Sequence, residues 1–276
     1  LPMKTPKFCL ETYTFQSKKM IPGSRPVRFC FLSDLHGTEF AGENRSLLRA
    51  IASFKPDGIL VGGDMIVGKL HFGQGMRVSL ELLQRLAENY PVWYALGNHE
   101  HRMMTNTEFY GSRYMDYERE LVSCGVRMLH NESETFDVEG TSFRIYGLEL
   151  EQSFYKKPLS PRLTAEHITE LLQGERGDTK REFEILLAHN PKYGQAYFDW
   201  GADLILSGHY HGGLMRFSRR HGLISPQFWP FPRYCCGDFI RGDQRMLVSA
   251  GLGEHTLPFR IHNPRVLLEV TLCAAD

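Results

Sequence analysis

The chain has no excess of either charge: its 32 basic and 32 acidic residues cancel. No overall field would therefore draw it onto nucleic acid or an acidic membrane, and any anion it binds must be held locally. It has no apolar stretch of the roughly 18 residues that a spanning helix needs. Its six cysteines (Cys9, Cys30, Cys124, Cys235, Cys236 and Cys273) are scattered, without a Cys-x-x-Cys pair, a pattern that suits free thiols in a reducing compartment. No low-complexity tract occurs, and nothing repeats with a period of about 20 to 50 residues, which argues against a solenoid. The first residue is Leu1 and not an initiator methionine, so a preceding signal or anchor segment is an expectation. The location expected is cytoplasmic, or membrane-associated through that segment.

The length of 276 residues suits one domain over 1–276 that buries most of its apolar surface. A monomer is expected. Residues 1–26 read as a leading edge hairpin, because Phe8, Leu10, Tyr13 and Phe15 alternate with polar residues before a turn at Ile21-Pro22-Gly23-Ser24. Short apolar runs and helical periodicities then alternate. Phe29 to Leu32 reads as a buried strand, Leu47, Leu48, Ile51 and Phe54 as a helix within 42–54, and Ile59-Leu60-Val61 as a second strand. Val78, Leu82, Leu83 and Leu86 mark another helix, and Val92 to Leu96 a third strand. Strand, helix, strand, helix, strand argues for a sheet with parallel crossovers. A helix over 110–124, strands at 126–129 and 143–146 around a turn at Glu139-Gly140, and a short helix capped by Thr164 follow. Strands at 185–188, 204–206, 246–250 and 266–272 complete the chain.

The polar residues that end these strands carry the chemistry. Phe29 to Leu32 runs into Ser33-Asp34-Leu35-His36, with the carboxylate and imidazole two residues apart and on one side of extended backbone. In open α/β sheets the binding crevice lies beyond the carboxyl ends of the strands. Asp-x-His alone is a common loop pattern. Further strand ends, however, supply Asp64, Asn98 with His99, His189, and His209 with His211. Two aspartates, an asparagine and several imidazoles at one sheet edge suit Mn²⁺, Fe or Zn²⁺, and the lack of a thiolate argues against a structural zinc site.

In order, these motifs stand as Asp34-Leu35-His36, Gly63-Asp64, Gly97-Asn98-His99-Glu100, His189 and Gly208-His209-Tyr210-His211. The sequence resembles the calcineurin-like metallophosphoesterases in all of them, over residues 34–211, and in particular a bacterial branch whose members are often tied to a membrane. The resemblance implies a four-layer α/β/β/α sandwich with two divalent metal ions at the strand ends. It implies that Asp34, His36 and His211 hold one ion and Asn98, His189 and His209 the other, with Asp64 bridging. His99 would ligate neither, and would protonate the leaving group or steady its charge. The activity implied is hydrolysis of a phosphoester, most readily a phosphodiester or pyrophosphate-type bond, by a hydroxide held between the metals. The substrate would be small or lipid-linked. The alternative is a binding module that keeps the fold without catalysis.

One departure stands out. Relatives often place an acid three residues after the bridging aspartate to orient the histidine at the position of His99, and here Val67 occupies that place. His101 and Arg102 directly follow the Asn-His-Glu motif and are candidates to reach substrate phosphate, as is His255 near the last strands. His71, His130, His167 and His221 read as solvated or capping residues. The run Phe228-Trp229-Pro230-Phe231-Pro232-Arg233-Tyr234 reads as core or lid packing, or as a wall for an apolar substrate.

Overall fold

The computed structural model describes residues 6–68, 73–156, 159–174, 176–213, 215–216, 218, 222, 232–254 and 260–275. The first half runs β1 (Phe8–Ser17), β2 (Val27–Leu32), α1 (Arg45–Phe54), β3 (Gly58–Val61), α2 (Gly73–Ala87), β4 (Val92–Ala95), α3 (Asn98–Thr105), α4 (Thr107–Tyr110), α5 (Arg113–Ser123) and β5 (Val126–Leu129). The second half runs β6 (Ser133–Val138), β7 (Thr141–Leu148), a 3-10 turn at Gln152–Tyr155, α6 (Ala165–Leu171), β8 (Phe183–Ala188), α7 (Gly194–Trp200), β9 (Leu204–Ser207), β10 (Gly237–Arg241), β11 (Gln244–Val248) and β12 (Arg265–Ala274).

The strands form two six-stranded sheets, ordered β1-β12-β2-β3-β4-β5 and β10-β11-β9-β8-β7-β6. Successive side chains of a strand point to opposite faces, and here both faces are covered. On β2, Phe29 and Phe31 join Leu60 and Trp93 in the layer between the sheets, where they meet Ile185, Leu187 and Leu206. Cys30 and Leu32 point the other way, onto the helical layer that buries Leu47, Ile51, Leu83, Tyr114 and Leu121. The outer face of the second sheet, with Tyr146, Leu186 and Ile205, is covered by Ile168, Tyr197 and Trp200 of α6 and α7. This is the four-layer α/β/β/α sandwich. Strands covered on both faces read as continuous apolar runs, which is why they stand out in the sequence.

The leading segment differs from expectation. β1 is an edge strand, but it does not pair with a returning strand: it lies parallel to β12 over its whole length, and β12 in turn pairs antiparallel with β2. The long apolar β12 supplies a partner on each edge, so the segments before and after the turn at residues 21–24 never meet as a hairpin. The helix expected over 42–54 begins at Arg45, because Ala41, Glu43 and Asn44 take left-handed backbone. The helix expected over 110–124 breaks at Gly111, where φ is 61°, between α4 and α5. The turn at Glu139 and Gly140 falls as predicted, but the strand before it is β6, which was not expected, while 126–129 forms β5 at the edge of the first sheet. Thr164 caps α6 by accepting from the His167 amide. β10 and α7 were not expected: α7 buries Ala196, Tyr197, Phe198 and Trp200 and exposes only Gln195 and Asp199, a polar stripe too narrow to mark it as a surface helix.

Candidate metal centre

β2, β3 and β4 are parallel neighbours in the first sheet, and β8 and β9 are parallel neighbours in the second. Their carboxyl ends meet. Asp34 and His36 follow β2, Asp64 follows β3, Asn98 and His99 open α3 after β4, His189 follows β8, and His209 and His211 follow β9. The side chains gather into three overlapping groups: Asp34, His36 and His211; His36, Asp64 and His99; and Asp64, His189 and His209, with the donor atoms of each group within 4.8 Å of one another. Hydrogen bonds tie the two sheets together at this point. The His209 amide donates to Asp34 Oδ1 at 3.0 Å, and His189 Nδ1–H donates to the Gly62 carbonyl at 2.6 Å.

The backbone here is strained in a regular way. Asp34, His36, Asp64, His209 and His211 all have φ between 48° and 64°, the left-handed region that side chains with a Cβ rarely adopt. Strain of this kind persists only where the surroundings over-determine it, and it concentrates at functional sites. The flanking glycines are required by crowding: a Cβ on Gly208 would overlap Ser33 Oγ and Asp34 Oδ2, and one on Gly97 would overlap Asp64. Glu100 holds the frame from behind. Its buried carboxylate accepts from the amides of Asp64, Met65 and Gly97 and from the Tyr94 hydroxyl, and burial lifts its pKa to about 7.

The donors present fit a cation. Burial opposes ionisation of Asp34 and Asp64, yet the surrounding imidazoles outweigh it and hold both carboxyls below their ordinary range, His211 leading for Asp34 and His189 for Asp64. Burial and neighbouring histidines push His36 and His209 down, so their lone pairs are available. Because His189 spends Nδ1–H on Gly62, its Nε2 in the neutral ring carries a lone pair, and it faces Asp64 Oδ2 at 3.1 Å. Two electron-rich atoms in contact need a positive species between them, a proton or a metal ion. The pull of the two aspartates overcomes burial and raises His189 to about 10. Asn98 Oδ1 is buried without a hydrogen-bond partner among the described residues, as a ligand oxygen would be before it meets a metal.

His99 stands at the edge of the cluster, with its ring 5.1 Å from that of His36. Its orienter is not an acid but a backbone group: the Gly68 amide donates to Nδ1 at 2.9 Å. That bond makes Nδ1 an acceptor and places the ring hydrogen on Nε2. Burial lowers the His99 pKa, and the charge of Arg102 adds to that effect against Asp64. His101 turns aside to Glu149, 3.5 Å away, and Gln152. Arg102 lines a cavity next to the centre.

Arg260 is a site residue that no sequence pattern marks. Its guanidinium donates to the Ala250 carbonyl and lies 3.2 Å from His211 Nδ1, steadying that ring. Tyr155 likewise escapes a motif search, with its ring 5.1 Å from that of His209. Of the remaining candidates, His130 is half-buried and held by Glu118 and Glu149. His71, His221, His255 and the aromatic run from Phe228 to Phe231 lie outside the described residues, while Tyr234 is buried against Phe198 and Phe239. None of the six cysteines is in a disulfide, and no helix among the described residues is long and apolar enough to cross a membrane.

Residues 27–213 match the model of the calcineurin-like phosphoesterase family. The chain belongs to that family. It is thereby a metal-dependent phosphoric ester hydrolase, and the family implies divalent metal ions where the clusters stand. Relatives of this phosphoesterase include the uncharacterized protein YpbG of Bacillus subtilis, 27% identical over 268 residues that cover 97% of this chain and 88% of YpbG. Phosphodiesterase YaeI of Escherichia coli is 28% identical over 237 residues, covering 83% of this chain and 76% of YaeI. The solved structure of TT1561 from Thermus thermophilus aligns with a TM-score of 0.50 at 12% identity over 83% of this chain and 92% of that one, a likeness of fold.

Proposed function

We propose that this phosphoesterase cleaves phosphodiester or pyrophosphate-type bonds. In this reading Asp34, His36 and His211 hold one divalent ion, Asn98, His189 and His209 hold a second, and Asp64 is shared. The observation that carries it is the position of Asp64, whose carboxylate belongs to two of the three donor groups at once. Mn²⁺, Fe or Zn²⁺ suits a set of carboxylates, imidazoles and one amide oxygen. Such a pair of ions supplies a water that ionises near neutral pH and positive charge opposite the phosphoryl oxygens. The protein's own part is placement. Asp34 and Asp64 stay ionised, His36 and His209 stay neutral, and the strained backbone aims them all into one small volume before substrate arrives, so little reorganisation remains for the reaction. His99 presents Nε2–H toward the reacting oxygens. It acts as a hydrogen-bond donor to developing negative charge. The phosphodiesterase name of YaeI supports a diester over a monoester.

Loading the purified protein with Mn²⁺ and measuring bound metal together with hydrolysis of bis-p-nitrophenyl phosphate and p-nitrophenyl phosphate tests the reading. Close to two ions per chain and faster turnover of the diester are expected. Metal content below one ion per chain, or a clear preference for the monoester, counts against it.

A further inference from the structure

We propose that the cavity walled by Arg102 and Lys156 beside the metal centre receives a negatively charged group on the departing alcohol, so that the preferred substrates carry a second anion beyond the scissile phosphate. This rests on the hydrolytic reading of the centre and adds a specificity pocket to it.

The cavity has a volume of about 500 Å³, and its walls come from α3, α4 and the turn at Gln152–Tyr155. Two cations line it and no acidic residue does. Several arginines elsewhere in the chain are paired, as Arg144 is with Glu182, Arg176 with Glu184 and Arg245 with Asp238. Arg102 and Lys156 make no ion pair or side-chain hydrogen bond among the described residues. Two like charges sharing one cavity repel, and an anion placed between them relieves that cost.

The cavity adjoins the centre through its walls. Gln152, in its wall, donates to the Asn98 carbonyl at 2.7 Å, and Tyr155, also in its wall, packs edge-on against His209. Arg102 follows His99 by three residues and Asn98 by four, so all three lie on one side of α3, one turn apart. A turn rises about 5.4 Å, so an anion at Arg102 sits roughly the length of an aromatic ring from a phosphate at the metal end. The cavity is also faced with flat surfaces: Tyr155 on one side and Phe109, 66% exposed, at the mouth. A planar spacer between phosphate and second anion fits that lining.

The test compares methyl 4-carboxyphenyl phosphate with its neutral counterpart, methyl 4-(methoxycarbonyl)phenyl phosphate, on Mn²⁺-loaded protein. Exposed charge pairs contribute modestly, so KM for the carboxylate is expected about 3- to 10-fold lower, with kcat little different. R102M/K156M should bring the KM ratio near one, R102K should keep the preference, and K156E should reverse it. Equal KM values in the parent protein, or a preference that survives R102M/K156M, overturn the proposal. Saturation-transfer NMR of both esters on metal-free protein gives a reading independent of turnover. Stronger binding of the carboxylate, lost in R102M/K156M, supports the pocket even if neither ester is hydrolysed, in which case the hydrolytic reading alone falls. Equal binding of the two overturns the pocket.

Discussion

His99 owes its state to one amide. With Gly68 N–H donating to Nδ1, protonating the ring at that nitrogen would break the bond and set two N–H groups against each other, so the neutral ring with hydrogen on Nε2 is the form the backbone selects. A carboxylate at the Val67 position would select an imidazolium instead. His99 should therefore behave as a hydrogen-bond donor, and a side chain that donates without titrating should replace it in part. His99→Asn is expected to keep activity within about 10-fold of the parent, while His99→Ala loses about 10²-fold. Equal losses in the two variants, measured as kcat/KM on a diester with an alkyl leaving group, would restore the proton-donor role. This contrast marks the limit of what is legible in single residues. Asp34, Asp64, Asn98 and the histidines announce themselves by type and spacing at the ends of apolar runs. The Gly68 amide and the Arg260 guanidinium act through position in space, and no feature of residue type points to them.

Elements are legible to the degree that their burial is regular. β2, β3, β4, β8 and β9 are covered on both faces and read as strands, whereas α7 is a seven-residue helix whose polar stripe is only Gln195 and Asp199. The partner of β1 was hidden for a different reason: β12 lies some 250 residues away, and a short turn after Ser17 favours the local hairpin that does not form. One polar cluster links elements that periodicity treats as separate. His130, just after β5, bonds Glu118 of α5 and Glu149 beyond β7, joining the helical layer of the first sheet to the second sheet. The bonds to Glu118 and Glu149 raise its pKa to about 10 against burial. Because the folded value lies above the unfolded one of about 6.5, the stabilisation is complete below about pH 6.5 and is lost as pH rises through about 10. His130→Gln should lower the urea midpoint at pH 6.5 and differ little from the parent near pH 10.5. A midpoint difference that stays constant over that range would mean that packing and not charge holds the cluster.

At the scale of the molecule, the proposed ligands divide between two sheets whose interior contact is largely apolar, so a bound metal would clamp one sheet to the other. A ligand that binds only the folded state stabilises by about 2.7 kcal/mol at a hundredfold excess over Kd, and a chain of this size gains roughly 2–4 °C per kcal/mol. Removing metal with a chelator should therefore lower Tm by about 5–10 °C, and Asp64→Asn should shrink that difference by more than half. A Tm indifferent to chelation would place the metals outside the load-carrying structure. Such a clamp would also account for two buried carboxylates and four imidazoles where the sheets meet.

The placement of β12 has a consequence in time. The second sheet takes its strands from one continuous stretch, residues 133–248, whereas the first needs 265–274 to fill the gap between β1 and β2. A chain emerging from the ribosome can assemble the second sheet while the first still lacks its inner strand, with the β2 edge unpaired two residues from Asp34. Synthesis thus delivers the strand that seals the inner edge of the first sheet after every proposed ligand has already been made.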